Sequence, residues 1–227
     1  MKIGILGTGK MGQAFGRRLA EKGHEVFIGS RDPQKGKAIA ASIGPNGKGG
    51  SNRQAAEFGE ILFIAWPRSA VRELIRTLGP LKDKILIDCT NPIHEPEMTA
   101  ASMDRSPTLT EEVARSDFQG KIVKAFNTIS SRVMKNPDFG SQKVTVFCCG
   151  DDQAAKAIVM DLAEEIGFEP VDAGPLNMAR YIESLAHFMV HLDVFSGKGT
   201  EVALQLLRRR AVKTPQETRE TLSEKSH

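Results

Sequence analysis

Lys2-Ile3-Gly4-Ile5-Leu6-Gly7-Thr8-Gly9-Lys10-Met11-Gly12 is the stretch that decides the fold. Its opening run, Lys2 through Leu6, reads as a short buried strand. Residues 13–22 read as a helix with Ala14, Phe15, Leu19 and Ala20 on one apolar face. Between them lies Gly-x-Gly-x-x-Gly, and each glycine has a task. Gly7 permits the tight turn, Gly9 lets a pyrophosphate approach the backbone, and Gly12 lets the helix pack closely on the strand. The free N–H groups of the helix start hold the anion. Strand, glycine loop and helix form a dinucleotide-binding fingerprint, with Gly7, Thr8, Gly9, Lys10, Met11 and Gly12 as contact residues. A P-loop opening, Gly4-x-x-x-x-Gly9-Lys10, overlaps it. Met11 stands where that motif needs a Ser or Thr to ligate magnesium, which argues against a nucleotide triphosphatase.

The second half of the fingerprint follows. His24-Glu25-Val26-Phe27-Ile28 reads as strand two and Gly29-Ser30-Arg31-Asp32-Pro33 ends it. An acidic residue here would hold the ribose hydroxyls of NAD. Ser30 takes that place and Arg31 follows, with Lys35 one turn into the next helix. A hydroxyl and cations suit a ribose 2′-phosphate, which a carboxylate would repel. Asp32 is placed to cap the helix that starts at Pro33. The expectation is NADP(H) rather than NAD(H).

Beyond residue 44 the chain keeps alternating strand and helix. A glycine-rich connection over 44–51 holds a weak third strand, and Asn52 is expected to cap a short helix over 53–58. Clear strands follow over 60–65, 84–88, 121–125, 144–149 and 168–172. Helices are expected over 70–78, 109–115, 130–134 and 154–166, the last capped by Asp151 or Asp152. Residues 93–107 are polar and read as an exposed loop. Seven or eight strands alternating with helices describe an α/β, doubly wound, mainly parallel sheet, a Rossmann architecture. Strands four and five end in Ala65-Trp66-Pro67 and Thr90-Asn91-Pro92. Ligands of such sheets lie over the carboxyl ends of the strands. Ala65, Trp66, Pro67, Asn91 and Pro92 are therefore expected to face the ribose and nicotinamide, unless the prolines merely stop the strands.

From residue 177 the pattern changes. A long helix over 177–195 carries two adjacent apolar stripes, Ile182, Leu185, Met189, Leu192 and Tyr181, Phe188, Phe195. So wide an apolar arc is buried on more than one side, against the sheet domain and a second subunit. A short helix is expected over 201–209. Residues 211–227 are charged without apolar period and are expected to be disordered. Glu183, His187 and His191 have metal-ligand spacing, but the His-Glu-x-x-His order is absent and no metal is expected.

Composition narrows the partners. The net charge of +3 is mild and partly local to Arg208-Arg209-Arg210, so it does not argue for nucleic acid. No apolar run approaches a membrane span. Met1-Lys2-Ile3 enters the strand directly, so no signal peptide is expected. Cys89, Cys148 and Cys149 read as buried thiols of a reducing cytosol, so a cytoplasmic protein is expected.

Four stretches together resemble the NADPH-dependent reductases of the deazaflavin coenzyme F-420 and their bacterial relatives. They are Gly7 through Gly12, Gly29-Ser30-Arg31, Lys124-Ala125-Phe126-Asn127-Thr128 and Asp172-Ala173-Gly174-Pro175-Leu176. The resemblance runs to about residue 210. The cytosolic ferric-reductase domain of certain membrane flavoproteins is similar too, and more distantly so are pyrroline-5-carboxylate reductases. The resemblance implies a dinucleotide-binding Rossmann domain over 1–174. It also implies a C-terminal helical part over 175–210 that builds the acceptor pocket and a homodimer contact. It implies an NADP-dependent oxidoreductase passing a hydride between NADPH and a deazaflavin (coenzyme F-420) or flavin. Asn127 and Thr128 would line the redox centre, with Gly174, Pro175 and Leu176 as a wall. In the archaeal members a histidine stands where this chain has Asn127, which is neutral at every pH and cannot play an imidazole's role. Hydride transfer between rings needs alignment more than acid or base, and no catalytic side chain is assigned. The alternatives are a non-catalytic NADPH-binding protein and an imine reductase like pyrroline-5-carboxylate reductase.

Overall fold

Strand β1 (Lys2–Leu6) lies at the centre of a six-stranded sheet in a computed structural model that describes residues 1–66, 68–91, 108–114, 119–195 and 201–209. The chain continues through α1 (Lys10–Glu21), β2 (Glu25–Ser30), α2 (Pro33–Ala41), β3 (Gly47–Ser51), α3 (Asn52–Phe58) and β4 (Ile61–Ile64). It then forms α4 (Arg68–Thr77), β5 (Ile85–Asp88), α5 (Leu109–Ala114) and β6 (Lys121–Lys124). The order is β3-β2-β1-β4-β5-β6 and every pairing is parallel. The chain reverses its direction of travel across the sheet between β1 and β4, so a crevice opens at their carboxyl ends.

Both faces of the sheet are covered, which is why its central strands are apolar throughout. Side chains alternate between faces with period two. Ile3, Ile5, Ile61, Phe63, Ile85 and Ile87 join the core beneath α1, while Leu6, Leu62, Ile64 and Leu86 join the one beneath α4. Phe15 of α1 packs its ring 4.3 Å from Phe63 and edge-on to Phe126 at 5.0 Å. These contacts hold α1, and with it the glycine loop, against the strands.

The remaining strands do not extend the parallel sheet. After α6 (Ser131–Lys135), β7 (Thr145–Cys148), α7 (Gln153–Glu165) and β8 (Glu169–Asp172) form a separate parallel pair. One antiparallel bridge, Lys124 to Cys149, joins that pair to β6 through hydrogen bonds of 2.9 and 3.1 Å.

Three local readings are corrected. Ser51, not Asn52, caps α3, in a capping box closed by Gln54; Asn52 is the first helical residue. The long helix, α8 (Ala179–Phe195), begins after a single 3-10 turn, Leu176–Met178. The expected helix over 201–209 is not one. The segment has no regular secondary structure and is held against β7: the Thr145 N–H donates to the Leu204 carbonyl at 2.8 Å, and the Leu206 N–H to the Thr145 hydroxyl at 2.9 Å. A helix that short is marginal on its own, whereas an open strand edge offers ready partners. Asp152, one of the two candidates, caps α7. The expected loop over 93–107 and tail over 211–227 lie outside the described residues. No helix among the described residues is long and apolar enough to cross a membrane.

Candidate functional site

The glycine loop has the backbone its sequence demands. Gly7 sits at φ +135°, and a Cβ there would lie 2.3 Å from the Ala65 carbonyl oxygen. A Cβ on Gly12 would lie 2.3 Å from the Gly7 carbonyl oxygen, so only glycine lets α1 come this near the turn. Gly9 differs: a Cβ there would meet nothing within 4 Å. It is the N-cap of α1, no side chain caps that helix, and its first turn holds no acidic residue. The helix start, with its donors and positive dipole end, is thus left facing open space, which fits a pyrophosphate. Met11 is only partly exposed and packs on the core, so its contribution to a ligand is backbone.

A cavity of about 310 Å³ opens over this loop. Ser30, Arg31 and Lys35 line one side, and Ala65 and Trp66 the other. One carboxylate, Asp32, also lines the cavity, and it is tied to the backbone of its own segment. It caps α2 by accepting from the Gln34 N–H at 2.9 Å, and its own N–H donates to the Ser30 hydroxyl at 3.2 Å. Hydroxyl and cations therefore dominate the polar wall, the set that suits a phosphate ester. The Arg31 guanidinium lies 5.5 Å from the centre of the Trp66 ring. A second cavity of about 150 Å³ continues past Arg31 and Trp66 to Asn52, Leu74 and Thr77. Glu73 lines it too, so the space is of mixed polarity, and the two planar groups at its mouth suit a flat heterocycle. The sequence marks Asn52 only as a helix cap; its place at the carboxyl end of β3 is what marks it for the site.

The loops after β5 and β6 are tied to each other. Asn127 donates to the Asn91 side chain at 2.9 Å and to the Ile182 carbonyl of α8 at 3.2 Å, and Asn91 donates back to the Asn127 carbonyl at 2.6 Å. Two acceptors on one nitrogen orient the Asn127 amide, and its oxygen is buried without a hydrogen-bond partner. Thr128 is buried beside it. The sheet, the β6 loop and α8 thus meet at Asn127.

Beneath that junction lies a charged cluster that sequence reading missed. Lys124 is 0% exposed. Its ammonium donates to Glu183 at 2.7 Å, to Asp88 at 3.1 Å and to the Thr90 carbonyl at 2.7 Å. Asp88 also accepts from the Thr110 hydroxyl at 2.5 Å and the Thr90 N–H at 2.8 Å. Burial pushes the Asp88 carboxyl up, but Lys124, Thr110 and Thr90 outweigh it and hold the group below the usual carboxylate range. Burial likewise pushes the Lys124 ammonium down, and Asp88 and Glu183 outweigh it, leaving its pKa raised. The sequence signal was available: opposite charges close two apolar strands, and Asp88 pairs in register with Lys124. Glu183, considered above for metal spacing, is committed to this lysine.

The turn over 174–176 divides its residues. Gly174 adopts φ +97°, donates to Asp172 at 2.8 Å, and accepts from the Gly150 N–H and the Lys156 ammonium. Pro175 is exposed, whereas Leu176 is buried in the core with Leu86 and Ile122. Lys10 is exposed and lines a different cavity from Ser30 and Arg31. Pro67 and Pro92 lie outside the described residues.

Comparison with known proteins places these features in context. The family model described as "NADP oxidoreductase coenzyme F420-dependent" matches residues 2–92. An F420-dependent NADP reductase of Methanothermobacter marburgensis is 32% identical over 214 residues, covering 86% of this chain and 93% of that protein. A crystal structure from Arthrobacter sp. FB24, described as a candidate F420-dependent NADP reductase, superposes with a TM-score of 0.80 at 30% identity. It covers 92% of this chain and 100% of its own. The metalloreductase STEAP3 of Rattus norvegicus is 30% identical over 185 residues, 81% of this chain but only 36% of that protein.

Proposed function

This chain belongs to the family of coenzyme F420-dependent NADP oxidoreductases, and from that premise we propose that it passes a hydride between NADPH and a tricyclic acceptor, the deazaflavin coenzyme F-420 or a flavin. The observation that carries the reading is the cavity over Gly9, where two cations and a hydroxyl, Arg31, Lys35 and Ser30, outnumber the one lining carboxylate, Asp32, itself engaged as the cap of α2.

The NADPH supplies the hydride and the acceptor ring receives it; the protein binds, aligns and excludes water. Gly9 and the start of α1 hold the pyrophosphate. Ser30, Arg31 and Lys35 hold the 2′-phosphate, and Trp66 covers the adenine side. Ala65 and Asn91 border the ribose and nicotinamide. Asn127 and Thr128 shape the redox centre, fixed by the hydrogen bonds to Asn91 and α8. The turn at Gly174 and Pro175 offers a close wall to a ring, while Leu176 supports it from the core. No acid or base is required, because the reaction depends on distance and angle.

We read residues 1–174 as the dinucleotide-binding part and the segment from 175 as acceptor pocket and dimer contact. Tyr181 and Phe188, 62% and 54% exposed on α8, support a homodimer. Three free cysteines support work in the cytoplasm, and burial holds the thiols of Cys148 and Cys149 up at about 12.

Steady-state NADPH oxidation with coenzyme F-420, FMN, FAD, a ferric chelate and pyrroline-5-carboxylate tests the reading. Reduction of a tricyclic acceptor is expected. Turnover of the imine alone would favour an imine reductase, and turnover of none a nucleotide-binding protein.

A further inference from the structure

A third cavity, of about 260 Å³, lies between α1 and α6 and shares no lining residue with the one over Gly9. Lys10, Gln13 and Arg17 face it from α1, at the spacing of one helical stripe. Ser131, Arg132 and Lys135 face it from α6. Four of these six side chains are cations, and no carboxylate lines the space. Among the described residues Lys10, Arg132 and Lys135 make no ion pair, and Arg17 reaches only the Ser42 carbonyl, at 3.4 Å. Like charges gathered in one concavity repel one another and raise its potential, which draws an anion in. Gln13 donates to the Thr8 carbonyl at 2.9 Å, so the cavity rim is bonded to the glycine loop itself.

Its position bears on the chemistry. Lys10, inside the glycine fingerprint, is the first residue of α1, and α6 begins three residues after Thr128. The cavity therefore opens at the carboxyl edge of the sheet, beside the stretch read as the redox centre. The dinucleotide's own phosphates have Gly9 and Arg31 on the other side of the loop. Resting on the function proposed above, we propose that this cavity holds an anionic substituent of the hydride acceptor, phosphate or carboxylate, while its ring lies against the nicotinamide. The acceptor is then a charged cofactor, and the neutral form of the same ring is a poor substrate.

Arg132→Gln/Lys135→Gln tests this, because neither residue contacts the dinucleotide site. Wild type and variant are compared with two acceptors that share a ring, FMN and riboflavin, and with coenzyme F-420 and its deazaflavin ring stripped of the anionic tail. KM for the anionic member of each pair is expected to rise about tenfold or more in the variant, through lost charge-assisted contacts. KM for the neutral member and the NADPH dissociation constant are expected to hold. An equal rise for both members, or weaker NADPH binding, overturns the assignment. A direct arm separates this from failure of the parent reading. NADPH-saturated protein is titrated calorimetrically with tripolyphosphate and with tri-glutamate, which distinguish phosphate from carboxylate. Even if no tricyclic acceptor is reduced, uptake by wild type that the variant loses retains the anion site. No uptake, or equal uptake by both proteins, overturns it.

Discussion

Arg31 stands over Trp66 with its chain neighbour Asp32 spent on the cap of α2. Arg31→Ala is therefore expected to weaken NADPH binding by about 1.5–3 kcal/mol, the value of a charge-assisted contact, and NADH binding little. Fluorescence titration of both nucleotides checks this, and equal losses would refute the 2′-phosphate assignment. Lys124 makes a different demand, since two carboxylates depend on it inside the protein. Lys124→Met is expected to cost about 3–5 kcal/mol in urea unfolding, because Asp88 and Glu183 are left buried without a cation. The sign of the pH dependence separates this from a packing defect. In the wild type the folded pKa of Asp88 is lowered, so its contribution is present above about pH 4 and lost as pH falls through the folded value. That of Lys124 is raised, so its contribution is present below about pH 10 and lost as pH rises through the folded value. In the variant the stranded carboxylates gain raised folded values, so stability should increase from about pH 8 to about pH 5. A flat profile over that window would remove the argument.

At the scale of one element, the glycine loop separates folding from binding. Gly9 has φ −72°, which any residue adopts, and a Cβ there points into open space. Gly9→Ala should leave stability within about 0.5 kcal/mol of wild type. It should weaken NADPH binding by at least about 1.4 kcal/mol, a factor of ten, by filling the approach of the pyrophosphate. Gly12→Ala should lose both, at about 1–3 kcal/mol of stability, because its Cβ would meet the Gly7 backbone. Thermal melts paired with nucleotide titration read the contrast. A Gly9→Ala protein that binds NADPH normally would move the pyrophosphate elsewhere. The same element was the most legible part of the chain, since each glycine answers to a neighbour a few residues away. The segment 201–209 was the least legible. Its leucines fit a helix as readily as a strand, and only the nearby edge of β7 decides against the helix.

Among the described residues, one face of α8 that carries two aromatic side chains is exposed. Tyr181 and Phe188 lie two turns apart on the same side, exposed, while Ile182, Ala186 and Met189 on the other are buried. A homodimer at micromolar concentration is expected by light scattering, and Phe188→Glu should shift it to monomer by placing a charge in the contact. A wild-type monomer, or a dimer indifferent to Phe188→Glu, would rule out this face.

Strand, loop, helix and the parallel sheet were determined by sequence alone, because they follow from local rules. Apolar runs of strand length, glycines at fixed spacing and a hydroxyl-arginine pair after β2 each act within a few residues. The coarse reading of the cofactor followed for the same reason. What the tertiary structure decided involves partners far apart in the chain. Asp88, Lys124 and Glu183 form one cluster across 95 residues' separation between the first and the last. The basic cavity joins α1 to α6, and β7 and β8 pair with each other apart from the main sheet. No local pattern encodes these, since the energy of a buried charge or a shared cavity exists only once distant segments have met.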